Sequence, residues 1–121
     1  VPHVMLDPVA MPPAIGQGAL AVTVRQGDDA VAAAFGVICD HNSHIETSAE
    51  RAFLSALDGS CRTAIGALAR QQNNGSLHFI GEALSSEGEH RWQHDDLIEN
   101  ATLETAMAMG HAIDGYIGQI P

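Results

Sequence analysis

The sequence predicts an α+β fold, a small domain in which a three-stranded antiparallel sheet is covered by helices on one face. Three observations lead to this prediction. Apolar residues recur at helical spacing over 43–57 and again over 100–117. Between these two runs, turn sequences at 73–75 and 87–89 divide the chain into three extended stretches. From about residue 41 onward the order is therefore helix, three-stranded meander, helix.

The first helix of this unit has a start signal, because Ser43 followed by Glu46 fits a capping box. Gly59 stands where a helix commonly ends. One face between these points carries the apolar side chains that we expect in the core, namely Ile45, Ala49, Ala52, Phe53, Ala56 and Leu57.

The three strands are predicted at 62–70, 76–84 and 91–94, and the last helix at 100–117. The apolar face of that last helix is expected to consist of Leu103, Met107, Gly110, Ile113 and Ile117.

The first 40 residues have no evident place in this unit. Residues 1–15 contain four prolines, and the Pro12-Pro13 pair favours an extended path. After glycines at 16 and 18, the β-branched residues of 19–25 predict a strand, and 30–39 predict an Ala-rich helix. Because a lone strand cannot satisfy both of its edges, we expect this region to be part of something larger.

Charge and composition exclude several classes of function. The chain carries 15 acidic residues against 5 basic ones, all arginine, for a formal charge of −10. This predicts binding neither to nucleic acid nor to an anionic membrane, since both need a cationic face. No apolar run approaches the roughly 20 residues that span a bilayer. Without a leader-like segment or a disulfide framework, the expected location is the cytoplasm.

Two patterns resemble ligand sites but have the wrong context. Residues 16–21 match the G-x-G-x-x-G/A dinucleotide pattern, which needs a strand before it and a helix after it, yet here an extended Pro-rich segment precedes and a predicted strand follows. A hinge, a tight turn or a backbone grip on an anion remains open there. The histidines at 41 and 44, and those at 90 and 94, stand near acids but lack a zinc-site spacing, so no metal site is predicted.

Cys61 is the candidate for covalent chemistry. It follows Gly59-Ser60 and precedes Arg62, at a predicted junction between a loop and a strand. A neighbouring guanidinium favours the nucleophilic thiolate, whereas a lone cysteine can equally be an inert small hydrophobic residue. Cys39 lies in a predicted apolar helix and is expected to be inert.

Two stretches together resemble porphobilinogen deaminase, the hydroxymethylbilane synthase family. The first runs from Leu6-Asp7-Pro8 through Pro12-Pro13-Ala14-Ile15-Gly16-Gln17-Gly18 to Arg25, and the second from Glu46 through Asp58-Gly59-Ser60-Cys61-Arg62 to Ala67. Their order and spacing are those of the family. The resemblance implies that 1–15 is the end of domain two, 16–40 the hinge with the returning strand and helix of domain one, and 41–121 the C-terminal domain three.

The resemblance also implies a chemistry. The family condenses porphobilinogen head to tail, with loss of ammonia, into the linear tetrapyrrole hydroxymethylbilane on the route to heme. Its primer, a dipyrromethane cofactor, is held through a thioether at the position of Cys61. A soft thiolate suits addition to the electrophile that loss of ammonia creates. Arg25, Gln17 and Gly18 match family residues that meet the cofactor and substrate carboxylates.

The family's catalytic aspartate, its substrate-binding lysine and most of its arginines have no counterpart here. We therefore expect no catalytic residue in this chain, dependence on N-terminal domains as partners, and no deaminase activity of the chain alone. Self-association through the strand 19–25 is a further expectation. Ser60 and Ala64 depart mildly from the family pattern. The alternative function is a non-catalytic α+β ligand-binding or interaction module with an unmodified Cys61, and a split enzyme is a third possibility.

Overall fold

A computed structural model of the chain describes residues 1–57, 64–85 and 87–112. Within these residues the alternation of helical and extended runs produces six elements. They are α1 Asp29–Gly36, α2 His41–Ala56, β1 Ala64–Gln71, β2 Leu77–Leu84, β3 Arg91–Ile98 and α3 Leu103–Ala112.

The three strands form one antiparallel sheet in the order β1-β2-β3, which confirms the predicted α+β class. The turn at 73–75 closes the first hairpin, with Gly75 at a φ of 83° that favours glycine. β3 is twice as long as predicted, since it runs on to Ile98, which pairs with Leu77. The sequence does not predict this extension, because two polar residues, Asp95 and Asp96, follow His94. Pairing along the whole of β2 maintains the strand through them.

α2 packs on the sheet through the predicted apolar positions, and Ile45, Ala49, Ala52 and Phe53 are all buried. The Phe53 ring meets that of Phe79 edge to face, with centroids 5.6 Å apart. The predicted capping box is wrong. Asp40 is the N-cap instead, and its carboxylate accepts a 2.7 Å hydrogen bond from the Ser43 backbone N–H. The predicted helix end at Gly59 lies outside the described residues.

α3 begins three residues later than predicted, and of its predicted face Gly110 is buried whereas Leu103 and Met107 are not. Thr102 and Thr105 bond reciprocally at its start, each backbone N–H donating to the other residue's hydroxyl at 2.8 and 3.2 Å. Ala106 and Gly110 are buried, whereas Leu103 and Met107 remain 37% and 40% exposed. The two small residues allow close approach to α2. The predicted contacts of Ile113 and Ile117 lie outside the described residues.

Residues 19–25 form no strand, so the prediction of a strand there is wrong for this chain. The reason is that no described strand lies beside them, and Leu20 stays 98% exposed. α1 is likewise exposed along its length and ends at Gly36 rather than at 39, although Asp28 caps it at its predicted start. None of the helices in the described ranges is both long enough and apolar enough to cross a bilayer.

Candidate functional site

Cys61, the predicted attachment residue, lies in the 58–63 segment, outside the described residues, together with Arg62. The described neighbours define its connection: α2 ends at Ala56, with Leu57 as its C-cap, and β1 begins at Ala64. The cysteine therefore belongs to the short link between the main core helix and a strand at the edge of the sheet.

Residues 9–16, which we call the strap, contact both β3 and the edge strand β1. Arg91 donates to the Ala10 carbonyl at 3.1 Å, and the backbone N–H of Ala67 donates to the Pro13 carbonyl at 3.0 Å. Gly66 makes this approach possible, because a Cβ there would lie 2.8 Å from the Pro12 oxygen. The strap therefore crosses from β3 to the outer edge of β1.

The face that the strap crosses is the one opposite the helices. A Cβ at Gly81 would touch the Phe53 ring of α2, so alternate residues of β2 must point the other way. Two of these outward positions, Leu68 and its cross-strand partner Ile80, are buried to 8% and 1% exposure without belonging to the helix-facing core. Because the strap crosses this face at Gly66 and Pro13 lies near Leu68, we infer that it covers them.

Glu50 ties the end of the strap to the body of the domain. Its two carboxylate oxygens accept separate hydrogen bonds, from the Gly16 N–H at 2.7 Å and from the Ala69 N–H at 3.0 Å. Burial raises the pKa of Glu50 above the ordinary value, and the charge of Glu46 acts in the same direction. The two backbone donors and the positive charge of Arg70 oppose that shift.

Glu46, one helical turn earlier, performs a related task at the same strand. Its carboxylate accepts from the Gln71 N–H at 2.7 Å. The outward N–H groups at 67, 69 and 71 of β1 are therefore all satisfied, one by the Pro13 carbonyl and two by glutamates of α2. Since an unpaired strand edge invites another strand, these contacts close β1 to further pairing.

A cleft of about 210 Å³ lies between the end of the strap and α2. Gln17 and Gly18, two of the predicted binding residues, line it together with Glu50 and Arg70. Gly16 and Gly18 have φ values of 66° and 87°, which confirms that the chain turns sharply here. The dinucleotide interpretation has no support, because neither a strand before nor a helix directly after this turn is present.

Arg25 lies apart from this cleft. It is exposed at the end of the unpaired 19–25 segment, and across the ranges 1–57, 64–85 and 87–112 it forms no ion pair. Of the four predicted site residues, Gln17 and Gly18 therefore line the cleft, Arg25 lies away from it, and Cys61 is outside the described residues.

The histidines pair with acids in a different way from the sequence grouping. His78 reaches Asp95 across the sheet at 2.7 Å, and His94 lies 3.7 Å from Asp96. Among the residues that the structure describes, no three or more His, Cys, Asp or Glu side chains converge as a metal site.

Sequence reasoning missed Glu50 and Gly66. The available signal for Glu50 was its spacing of four from Glu46 beside an apolar face, which places two acids on one helix edge. Gly66 interrupts a predicted strand, and an isolated strand glycine commonly marks a close backbone approach.

Comparison with known proteins gives consistent matches. The profile of the family "Porphobilinogen deaminase, C-terminal domain" matches residues 44–115, more than half of the chain. Porphobilinogen deaminase of Phenylobacterium zucineum is 44% identical over 94 residues, covering 78% of this chain and 29% of the relative. That of Nitrobacter hamburgensis is 43% identical over 81 residues, covering 67% and 25%. That of Staphylococcus saprophyticus is 36% identical over 91 residues, covering 74% and 29%. The chain thus spans about a quarter of the length of these curated relatives.

Proposed function

We propose a function from one premise: the chain belongs to the family of the porphobilinogen deaminase C-terminal domain. On this premise the chain is the cofactor-bearing part of an enzyme that joins porphobilinogen units into hydroxymethylbilane and releases ammonia. The observation that carries the proposal is the family match over residues 44–115, a range that includes Cys61. No observation favours the alternative of a non-catalytic module.

We assign Cys61 as the thioether anchor of a dipyrromethane primer. The sulfur provides a soft nucleophile, and the primer, when bound, supplies the pyrrole carbon from which the growing chain extends. The other cysteine, Cys39, is exposed and follows α1. Substitution of Cys39 is therefore a control for substitution of the proposed anchor, Cys61.

The charges of the described residues fit only part of such a cofactor. A primer with acetate and propionate groups needs several cations around it. In the described part of the chain Arg25, Arg51 and Arg70 are exposed, while Arg91 is bound to Glu82. With a formal charge of −10, the chain fits the anchoring role and leaves the binding of most carboxylates to other parts of the enzyme.

We further propose the domain division made from the resemblance, with 1–15, 16–40 and 41–121 belonging to domains two, one and three. Two observations support it. The family match begins at residue 44, and within the described chain no hydrogen bond joins residues 17–39 to the residues from 41 onward. Porphobilinogen is then the proposed substrate of the whole enzyme, and its N-terminal domains are the proposed partners.

A domain exchange tests this function. The chain replaces the matching C-terminal segment of the Phenylobacterium zucineum enzyme, and tetrapyrrole formation from porphobilinogen is measured. We expect the chimera to be active, because the replaced parts are 44% identical. Cys61→Ser should reduce the activity to background, whereas Cys39→Ser should leave it within about twofold of the parent, as for surface substitutions in general.

Two outcomes would contradict the proposal. One is a soluble, folded chimera without activity. The other is a Cys61→Ser chimera that retains full activity, since the anchor would then lie elsewhere.

A further inference from the structure

The strap is bound to the domain along its length, and the chain after it is not. The strap is fixed at Ala10 by Arg91, at Pro13 by Ala67 and at Gly16 by Glu50. The described hydrogen bonds of residues 17–39 are all made within five residues, such as Ala19 to Gly16 and Asp28 to Arg25. Gly16 is therefore the last bound residue before α2.

The turn that follows the strap makes few contacts with the domain. We call residues 16–18 the pivot. Both of its glycines have positive φ, and an added Cβ at either would meet nothing within 4 Å. Its other hydrogen bonds are local, from Gln17 to Ala14 and from Ala19 to Gly16, so among the described residues Glu50 supplies the hydrogen bond that joins the pivot to the body of the domain.

The acceptor of that hydrogen bond is the buried carboxylate of Glu50. Glu50 is 7% exposed, and each of its oxygens faces one backbone donor. Ala69 belongs to a strand that is paired on its other side, whereas Gly16 belongs to a turn. The carboxylate therefore joins a paired strand to a turn. The charged groups around it are Glu46 on α2 and Arg70 on β1.

We propose that Glu50 is a positioning residue that fastens the pivot to the outer edge of β1 and so determines where residues 17–40 leave the domain. Glu46 does not share this role, although it caps the same edge, because its carboxylate bonds only to Gln71 of β1.

Amide hydrogen exchange of the full 121-residue chain tests the proposal, with Glu50→Gln as the variant and Glu46→Gln as its matched control. Glutamine keeps one acceptor oxygen and turns an NH2 group toward the other donor. Because the sheet holds Ala69 in place, we expect the remaining oxygen to stay with the Ala69 N–H, so the Gly16 N–H loses its acceptor. We expect exchange at Gly16 to rise by about 10-fold to 100-fold, the range for one hydrogen bond to a charged group. Glu46→Gln should raise exchange at Gln71 and leave Gly16 unchanged.

A second measurement uses the unaltered chain, in case the Glu50 variant fails to fold. The Gly16 and Ala69 amide resonances should shift together as one carboxyl titrates, because they share that carboxylate. Unchanged exchange at Gly16 in a folded Glu50→Gln chain would overturn the proposal. So would independent titration of the two amides. Both readouts are made without substrate, so an inactive chimera would count against the proposed function and not against this contact.

Discussion

At the scale of single residues, Glu50 shows how a polar group becomes part of the core. A buried carboxylate is unfavourable unless its oxygens are bonded, and here both accept backbone N–H groups. From the sequence Glu50 is simply one acid of a helix. Its partners come from a strand 19 residues later and a turn 34 residues earlier, and no local pattern links them.

Glu50 also predicts a pH dependence of stability. Burial raises its pKa in the folded chain, so the folded state holds this proton more tightly than the unfolded state does. The contribution to stability is therefore fully present below the ordinary value of 4.5 and is lost as the pH rises through the folded pKa. Denaturant unfolding of the parent and Glu50→Gln at a series of pH values measures it. The parent should lose stability relative to the variant as the pH rises, and parallel curves would contradict the assignment.

At the scale of elements, local signals located most of the fold. The apolar face of α2 and the turn at 73–75 follow directly from spacing and turn chemistry. The face of α3 follows only in part. Gly110 is buried as predicted, but Ala106 fills the core where the large side chains at 103 and 107 were expected. Close packing of two helices selects small residues, and hydrophobicity alone does not reveal this.

Gly110 provides a direct test of that helix contact. A Cβ there would lie 2.5 Å from the Ala49 carbonyl and 2.8 Å from the Phe53 nitrogen, both backbone atoms that cannot move aside. Gly110→Ala should therefore lower the free energy of unfolding by about 1–3 kcal/mol, the range for overpacking. It should do so although alanine favours a helix interior by about 1 kcal/mol over glycine.

Gly36→Ala is the control for this substitution, since Gly36 also lies in a helix but has open space around its Cβ position. Its unfolding free energy should stay within about 0.5 kcal/mol of the parent. Chemical denaturation of both variants decides the matter. Equal stabilities for the two would show that α3 does not approach α2 as closely as described.

At the scale of the whole molecule, the sequence predicted the structure of the unit from residue 41 onward better than that of the first 40 residues. Residues 19–25 have strand composition, but a strand forms only beside another, and no described strand pairs with them. Of the candidate site, Gln17 and Gly18 lie at the cleft as a turn, whereas Arg25 does not line it and its role stays a prediction. The acceptors that fix the strap required the three-dimensional structure.

The charge of the whole chain points in the same direction. Fifteen acids against five arginines leave few cations in this chain for the carboxylates of the proposed cofactor, so the proposal assigns their recognition to other domains. The central claim is therefore about a covalent bond at Cys61, and it can be tested at that residue directly.

Peptide mass analysis of the purified chimera makes that test. Tryptic cleavage after Arg51 and Arg62 releases residues 52–62, which contain Cys61 and no other cysteine. The account predicts that this peptide is heavier by two linked pyrrole units, while the peptide with Cys39 has its unmodified mass. A chimera that forms tetrapyrrole with residues 52–62 at their unmodified mass would contradict it.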